Sequence, residues 1–122
     1  MPKLRLLMSL EAAAFLAAAL VHAGILVGGY EHPKARVAET VIALVLLAGV
    51  GWSLLRPDRS RRAAVASQGF ALVGTLVGLF TIAVGVGPRT APDLAFHAGI
   101  LAVLTAGLLA ALRARPAVTR AA

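Results

Sequence analysis

Four long apolar runs, separated only by short polar connectors, limit what this chain can fold into more than any other feature. They cover about residues 6–27, 37–55, 63–86 and 94–112. Each approaches or exceeds the roughly 20 residues that a helix needs to cross a hydrocarbon core of about 30 Å. The runs are continuous, without the alternating pattern of a transmembrane barrel strand, so helices are expected. Short connectors make neighbouring helices antiparallel. The expected architecture is therefore all-α: an integral membrane four-helix up-down bundle, one domain over residues 1–122, with a frayed tail from Pro116.

Composition agrees with this. The chain is 60% hydrophobic and 14% charged, with a mean hydropathy of +0.89, outside the ordinary soluble range. A net charge of +7 would suggest nucleic acid in a soluble protein, but here the cations lie in connectors and tails. Nine of the twelve Lys and Arg residues fall in the amino-terminal tail, the second connector and the carboxy tail; Lys34, Arg36 and Arg89 fall in the other two connectors. Cytoplasmic loops are the Lys/Arg-rich ones, which puts both termini and the second connector on the cytoplasmic side of a bacterial-type inner membrane. The bilayer is the expected partner, with anionic lipid head groups for the arginines, and nucleic acid is not. A homo-oligomer or a larger membrane complex is a further possibility. No cysteine is present, so disulfides and thiol chemistry are excluded. The amino-terminal run resembles a secretory signal, yet Glu11 interrupts it and it continues past any cleavage point, so a retained first helix is expected.

Within this apolar background the few polar residues carry the functional information, because ionisable groups in a membrane are costly and face the protein interior. Counting about 1.5 Å per residue from the expected helix ends puts His22 roughly 9 Å, Glu39 roughly 5 Å and His97 roughly 6 Å from one end of the bundle. Thr81 falls at a similar depth on the third helix. Two imidazoles and a carboxylate suit a proton, a small ligand, or zinc or ferrous iron. Asp93, one helical turn before His97, is placed to orient that ring. Alternatively, His22 and His97 ligate a haem from facing helices. The reading without a ligand is that Glu39 pairs with a histidine and locks helix register. His32, in a connector, is expected to be solvated.

A second, inner polar layer holds Glu11, Ser53 and Gln68, read either as interhelical hydrogen bonding or as part of a hydrated relay. Gly74 and Gly78 form a small-xxx-small pair that permits close helix approach, within the chain or to a second copy. His22-Ala23-Gly24-Ile25-Leu26 recurs as His97-Ala98-Gly99-Ile100-Leu101, a match expected from composition rather than duplication. No nucleophile–base motif, phosphate-binding loop or dinucleotide fingerprint is visible, so the reading leans away from an enzyme. The expected function is a small membrane accessory or binding protein with a polar His/Glu pocket. The alternatives are a subunit of an oligomeric transporter or channel and a bis-histidine haem electron carrier.

Overall fold

The computed structural model describes residues 1–115; the tail from Pro116 lies outside them. Four helices follow one another: α1 (Pro2–His22), α2 (Pro33–Leu55), α3 (Ser60–Ala83) and α4 (Ala91–Arg113), with a 3-10 turn at Pro57–Arg59 ahead of α3. Among the described residues there is no strand. All four helices are long and apolar enough to cross a membrane.

Side-chain contacts fix the topology. Arg5, near the start of α1, bonds Ser53 near the end of α2, while His22 at the end of α1 bonds Glu39 near the start of α2. Those two helices are therefore antiparallel. Arg61 at the start of α3 donates to the Leu112 carbonyl at the end of α4, and Gly78 packs on His97, so that pair is antiparallel too. The ring closes between α1 and α4 through His22 and Asp93, and through an edge-to-face contact of Phe15 with Phe96 at 5.7 Å. We refer to the two ends of the bundle as the histidine end and the arginine end.

Met8, Phe15, Leu46 and Leu104 form the middle of the core, while Leu44, Val73, Phe80 and Val103 lie exposed on the outside. Glu11, His22, Glu39, Gln68, Asp93 and His97 are all buried. Polar groups inside and large apolar side chains outside suit a bundle whose surroundings are apolar.

Helix boundaries depart from the sequence reading in an informative way. α1 stops at His22, not at Gly28-Gly29, because Gly24 takes a left-handed conformation (φ +73°) that ends the helix. A side chain there would be strained, and its Cβ would sit 2.9 Å from Glu31 Oε1. The apolar run continues into Ile25–Val27, which is exposed turn. Hydropathy cannot separate an apolar turn from an apolar helix. α2 begins earlier than expected, at Pro33 in its first turn, with His32 as N-cap. α3 ends at Ala83, shortly before Gly85 at φ +86°. Its start has no side-chain cap: the Ser60 hydroxyl donates to the Ser53 carbonyl instead of capping α3.

The repeated pentapeptide adopts two conformations. His22 is the last residue of α1 and its copy leaves the helix, whereas the copy at His97 lies wholly within α4. Ile25 is 70% exposed and Ile100 is 6% exposed. The match carries no structural repeat.

Candidate functional site

The site forms where three helix ends meet. His22 ends α1, and its backbone carbonyl accepts the His32 N–H at 2.9 Å, which pins the connector back over it. His32, half-buried in the first connector, is engaged at both ring nitrogens rather than free. Its Nδ1 accepts the Ala35 N–H at 3.1 Å and its Nε2 donates to the Val86 carbonyl at 3.2 Å, tying the first connector to the third. α4 opens with a capping box: Thr90 accepts from the Asp93 N–H, and Asp93 Oδ2 accepts from the Thr90 N–H and hydroxyl. This arrangement fixes the Asp93 rotamer and leaves Oδ1 facing α1.

His22 lies between two carboxylates. Its Nδ1 is 2.7 Å from Glu39 Oε2 and its Nε2 is 3.0 Å from Asp93 Oδ1. All three side chains are buried. Each nitrogen–oxygen bridge needs one hydrogen, and a neutral imidazole supplies only one. Two filled bridges therefore require one more proton than neutral His22 and two carboxylates provide, leaving one net negative charge shared by the group. The end of α1 favours a cationic ring, since the helix C-terminus carries partial negative charge.

His97 takes a different position from the one expected. Its Nδ1 lies 2.8 Å from the Asp93 backbone carbonyl, which can only accept, so we assign the hydrogen to Nδ1. In the neutral ring Nε2 then holds a lone pair; it faces α3, 3.1 Å from where a Cβ on residue 78 would sit. The Asp93 side chain thus orients His22, not His97. One helical turn of spacing correctly suggested an Asp93–His97 contact but assigned it to the wrong atom.

Glu39 and His97 both line a cavity of about 150 Å³, together with Thr81, Ile42 and Gly78. That is room for a handful of water molecules or one small molecule. Thr81 donates to the Gly78 carbonyl at 2.7 Å while lining the same space. On the other side, His22 and Asp93 line an open groove between α1 and α4, alongside Ala14, Ala18, Val21 and Phe96. The Glu39–His22–Asp93 group forms part of both walls.

Of the residues expected in this layer, His22 and Glu39 meet directly, His97 and Thr81 share the cavity that Glu39 lines, and Asp93 completes the bridge. The described side chains give no support to the metal or haem expectation. Both nitrogens of His22 are taken by carboxylates, so it has none left to face a haem iron. Among the described residues no group of three or more His, Asp or Glu side chains is arranged to hold a metal ion.

The inner layer divides in two. Gln68 donates to Glu11 Oε2 at 2.6 Å, as expected. Ser53 lies elsewhere, at the arginine end: its hydroxyl accepts Arg5 Nε at 2.7 Å and its carbonyl accepts Arg5 and Ser60. Gly74 and Gly78 pack within the chain, on Ile42 and His97 respectively. Sequence reasoning missed Arg5, Ser60, His32 and Gly107. The Thr90-x-x-Asp93 spacing was a readable capping signal that would have aimed Asp93 correctly.

Comparison with family models, with curated proteins and with solved structures gives no match for this chain. The fold and site therefore define it at the level of class: a four-helix bundle with apolar, membrane-compatible helices and a buried histidine–dicarboxylate group.

Proposed function

We propose that this chain is a small multi-pass membrane protein that binds an exchangeable proton at His22, Glu39 and Asp93, with a small polar ligand held in the cavity beside them. The observation that carries this reading is the bridged imidazole, with both ring nitrogens within hydrogen-bond distance of buried carboxylates. Removing one proton leaves a lone pair facing a carboxylate, and adding one neutralises the group. Either change alters the charge presented to the cavity through Glu39. His97 Nε2, on the same cavity, is a ready acceptor for a ligand's N–H or O–H.

The split of basic residues supports both termini in the cytoplasm of a bacterial-type cell and the histidine end facing outward. Glu31→Cys and Arg59→Cys, both at exposed connector positions, test this with an impermeant thiol reagent on intact cells. Labelling is expected at position 31 and not at 59; the reverse would invert the orientation.

A second reading, a subunit of an oligomeric proton-coupled transporter, draws on the group's place between a cavity and a groove. Proton uptake by purified protein, followed with a pH-sensitive dye, separates the readings when combined with proteoliposome flux. The binding reading expects stoichiometric uptake that Glu39→Gln abolishes, without sustained flux. Sustained flux lost in the same variant would favour transport. Uptake unchanged in Glu39→Gln would remove both.

A further inference from the structure

Glu11 on α1 and Gln68 on α3 are buried to 2% and 0% exposure. Their one hydrogen bond, from Gln68 Nε2 to Glu11 Oε2, leaves two oxygens over: Glu11 Oε1 and Gln68 Oε1 are both buried and have no partner. As a carboxylate and an amide carbonyl, both can only accept. Buried acceptors left unpaired are costly, and an unpaired charge more so.

Among the described residues no cation answers Glu11. On α1 the nearest titratable side chains are Arg5 and His22; α2 has none between Glu39 and Arg56, α3 none after Arg62, and α4 none between His97 and Arg113. Arg5 is engaged by Ser53 and Ser60, and Arg61 donates to the Leu112 carbonyl. Among the described residues, Glu11 is thus the only titratable group in its layer. Gly107 of α4 makes room for the pair, since a Cβ there would come within 2.6 Å of Gln68 Nε2.

One hydrogen resolves both orphaned atoms. On Glu11 Oε1 it would turn an acceptor into a donor for Gln68 Oε1, the other orphaned atom of the same pair, while Oε2 continues to accept from Nε2. We propose that Glu11 carries a proton and pairs through both its oxygens with the Gln68 amide, which makes this layer a second proton-binding site, separate from the histidine group. The pairing removes the charge, fills both acceptors and seals the bundle between the histidine end and the arginine end.

Infrared spectroscopy of the purified full chain at neutral pH tests this. The difference between wild type and Glu11→Gln should contain the carbonyl stretch of a protonated carboxylic acid, which shifts on deuteration. A difference spectrum showing loss of an ionised carboxylate stretch instead would overturn the proposal. Gln68→Leu covers the case in which Glu11→Gln fails to fold. It keeps the acid but removes its amide partner, so the acid band should move to higher wavenumber. A spectrum identical to wild type in that region would overturn the pairing. Neither readout depends on proton uptake at the histidine end.

Discussion

The two buried polar layers use the same kind of group, a carboxylate facing the bundle interior, for different ends. At the histidine end Glu39 is joined to His22 and through it to Asp93, so three helices share the load, and the group borders both a cavity and a groove. In the inner layer Glu11 has one partner, on α3 across the bundle, and lines none of the described cavities. Open space beside a charged, multiply bridged group permits exchange with a ligand or water. A single acid–amide pair packed on all sides permits only closure. The difference lies in the surroundings rather than in the carboxylates.

The most severe way to break this contrast is to remove the bridging ring. His22→Leu leaves Glu39 and Asp93 buried without the cation between them, and loss of one partner from a buried ionic group costs about 3–5 kcal/mol. A large fall in the denaturation midpoint in detergent is expected. His22→Gln, which restores a donor at the same place, should recover part of it. If His22→Leu were as stable as wild type, the histidine would not be holding the end of the bundle together.

Glycines at the two layers sharpen the comparison. Replacing a helical glycine by alanine gains about 1 kcal/mol in helix propensity, set against whatever the new methyl meets. At Gly107 that methyl would press on the Gln68 amide at 2.6 Å, where packing is tight; overpacking of about 1–3 kcal/mol should make Gly107→Ala a net loss. At Gly78 it would meet His97 Nε2 at 3.1 Å, a ring that borders the cavity and has space to move. Gly78→Ala should therefore be close to neutral in thermal stability while shrinking the cavity. Equal losses at the two positions would show that the histidine layer is packed as rigidly as the inner one.

Thr90→Ala tests the cap that aims Asp93. Loss of an N-cap costs typically about 1 kcal/mol. It should also free the Asp93 rotamer, so proton uptake at the histidine end should fall together with stability. Stability loss without any change in uptake would mean that His22 alone holds Asp93 in place.

How much of this was legible follows from the helix boundaries. Four apolar runs were enough for the four-helix architecture, because length and hydropathy together mark a helix able to cross a membrane. Counting from expected ends brought His22, Glu39 and His97 to one level, yet the starting points were wrong. His22 is the last residue of α1, while Glu39 and His97 each lie six residues into their helices. The agreement in depth survived because the connector folds back through His32 and lowers Glu39 to meet a helix that ends early. What could not be read from depth was the identity of the partner. A turn at Gly24 and a capping box at Thr90 decide that Asp93, and not His97, reaches His22; the turn is a backbone event that periodicity does not record, and the box shows in the Thr90-x-x-Asp93 spacing but not in depth along the helix. Ser53 was misplaced for a related reason. Depth alone put it with Glu11 and Gln68, whereas its position is set by the Arg5 guanidinium.

The smallest expected effect concerns the connector that brings the histidine layer together. Glu31 is fully exposed between α1 and α2, and hydrogen bonds from its own backbone N–H and from that of Gly29 hold its carboxyl below the usual glutamate range. Both of its oxygens lie near the Gly29 nitrogen, at 3.1 and 2.9 Å. A group whose folded value is depressed adds stability that is present above its unfolded value, about 4.3. That stability is lost as pH falls through the lower folded value. Wild type should thus lose slightly more stability than Glu31→Gln on acidification below about pH 4. The two should differ by a constant amount at neutral pH. Thermal midpoints of both proteins in detergent, measured across that range, provide the check. Parallel acid limbs would show that the turn closing over His22 is held by Gly24 and the His32 backbone alone, without help from the carboxylate.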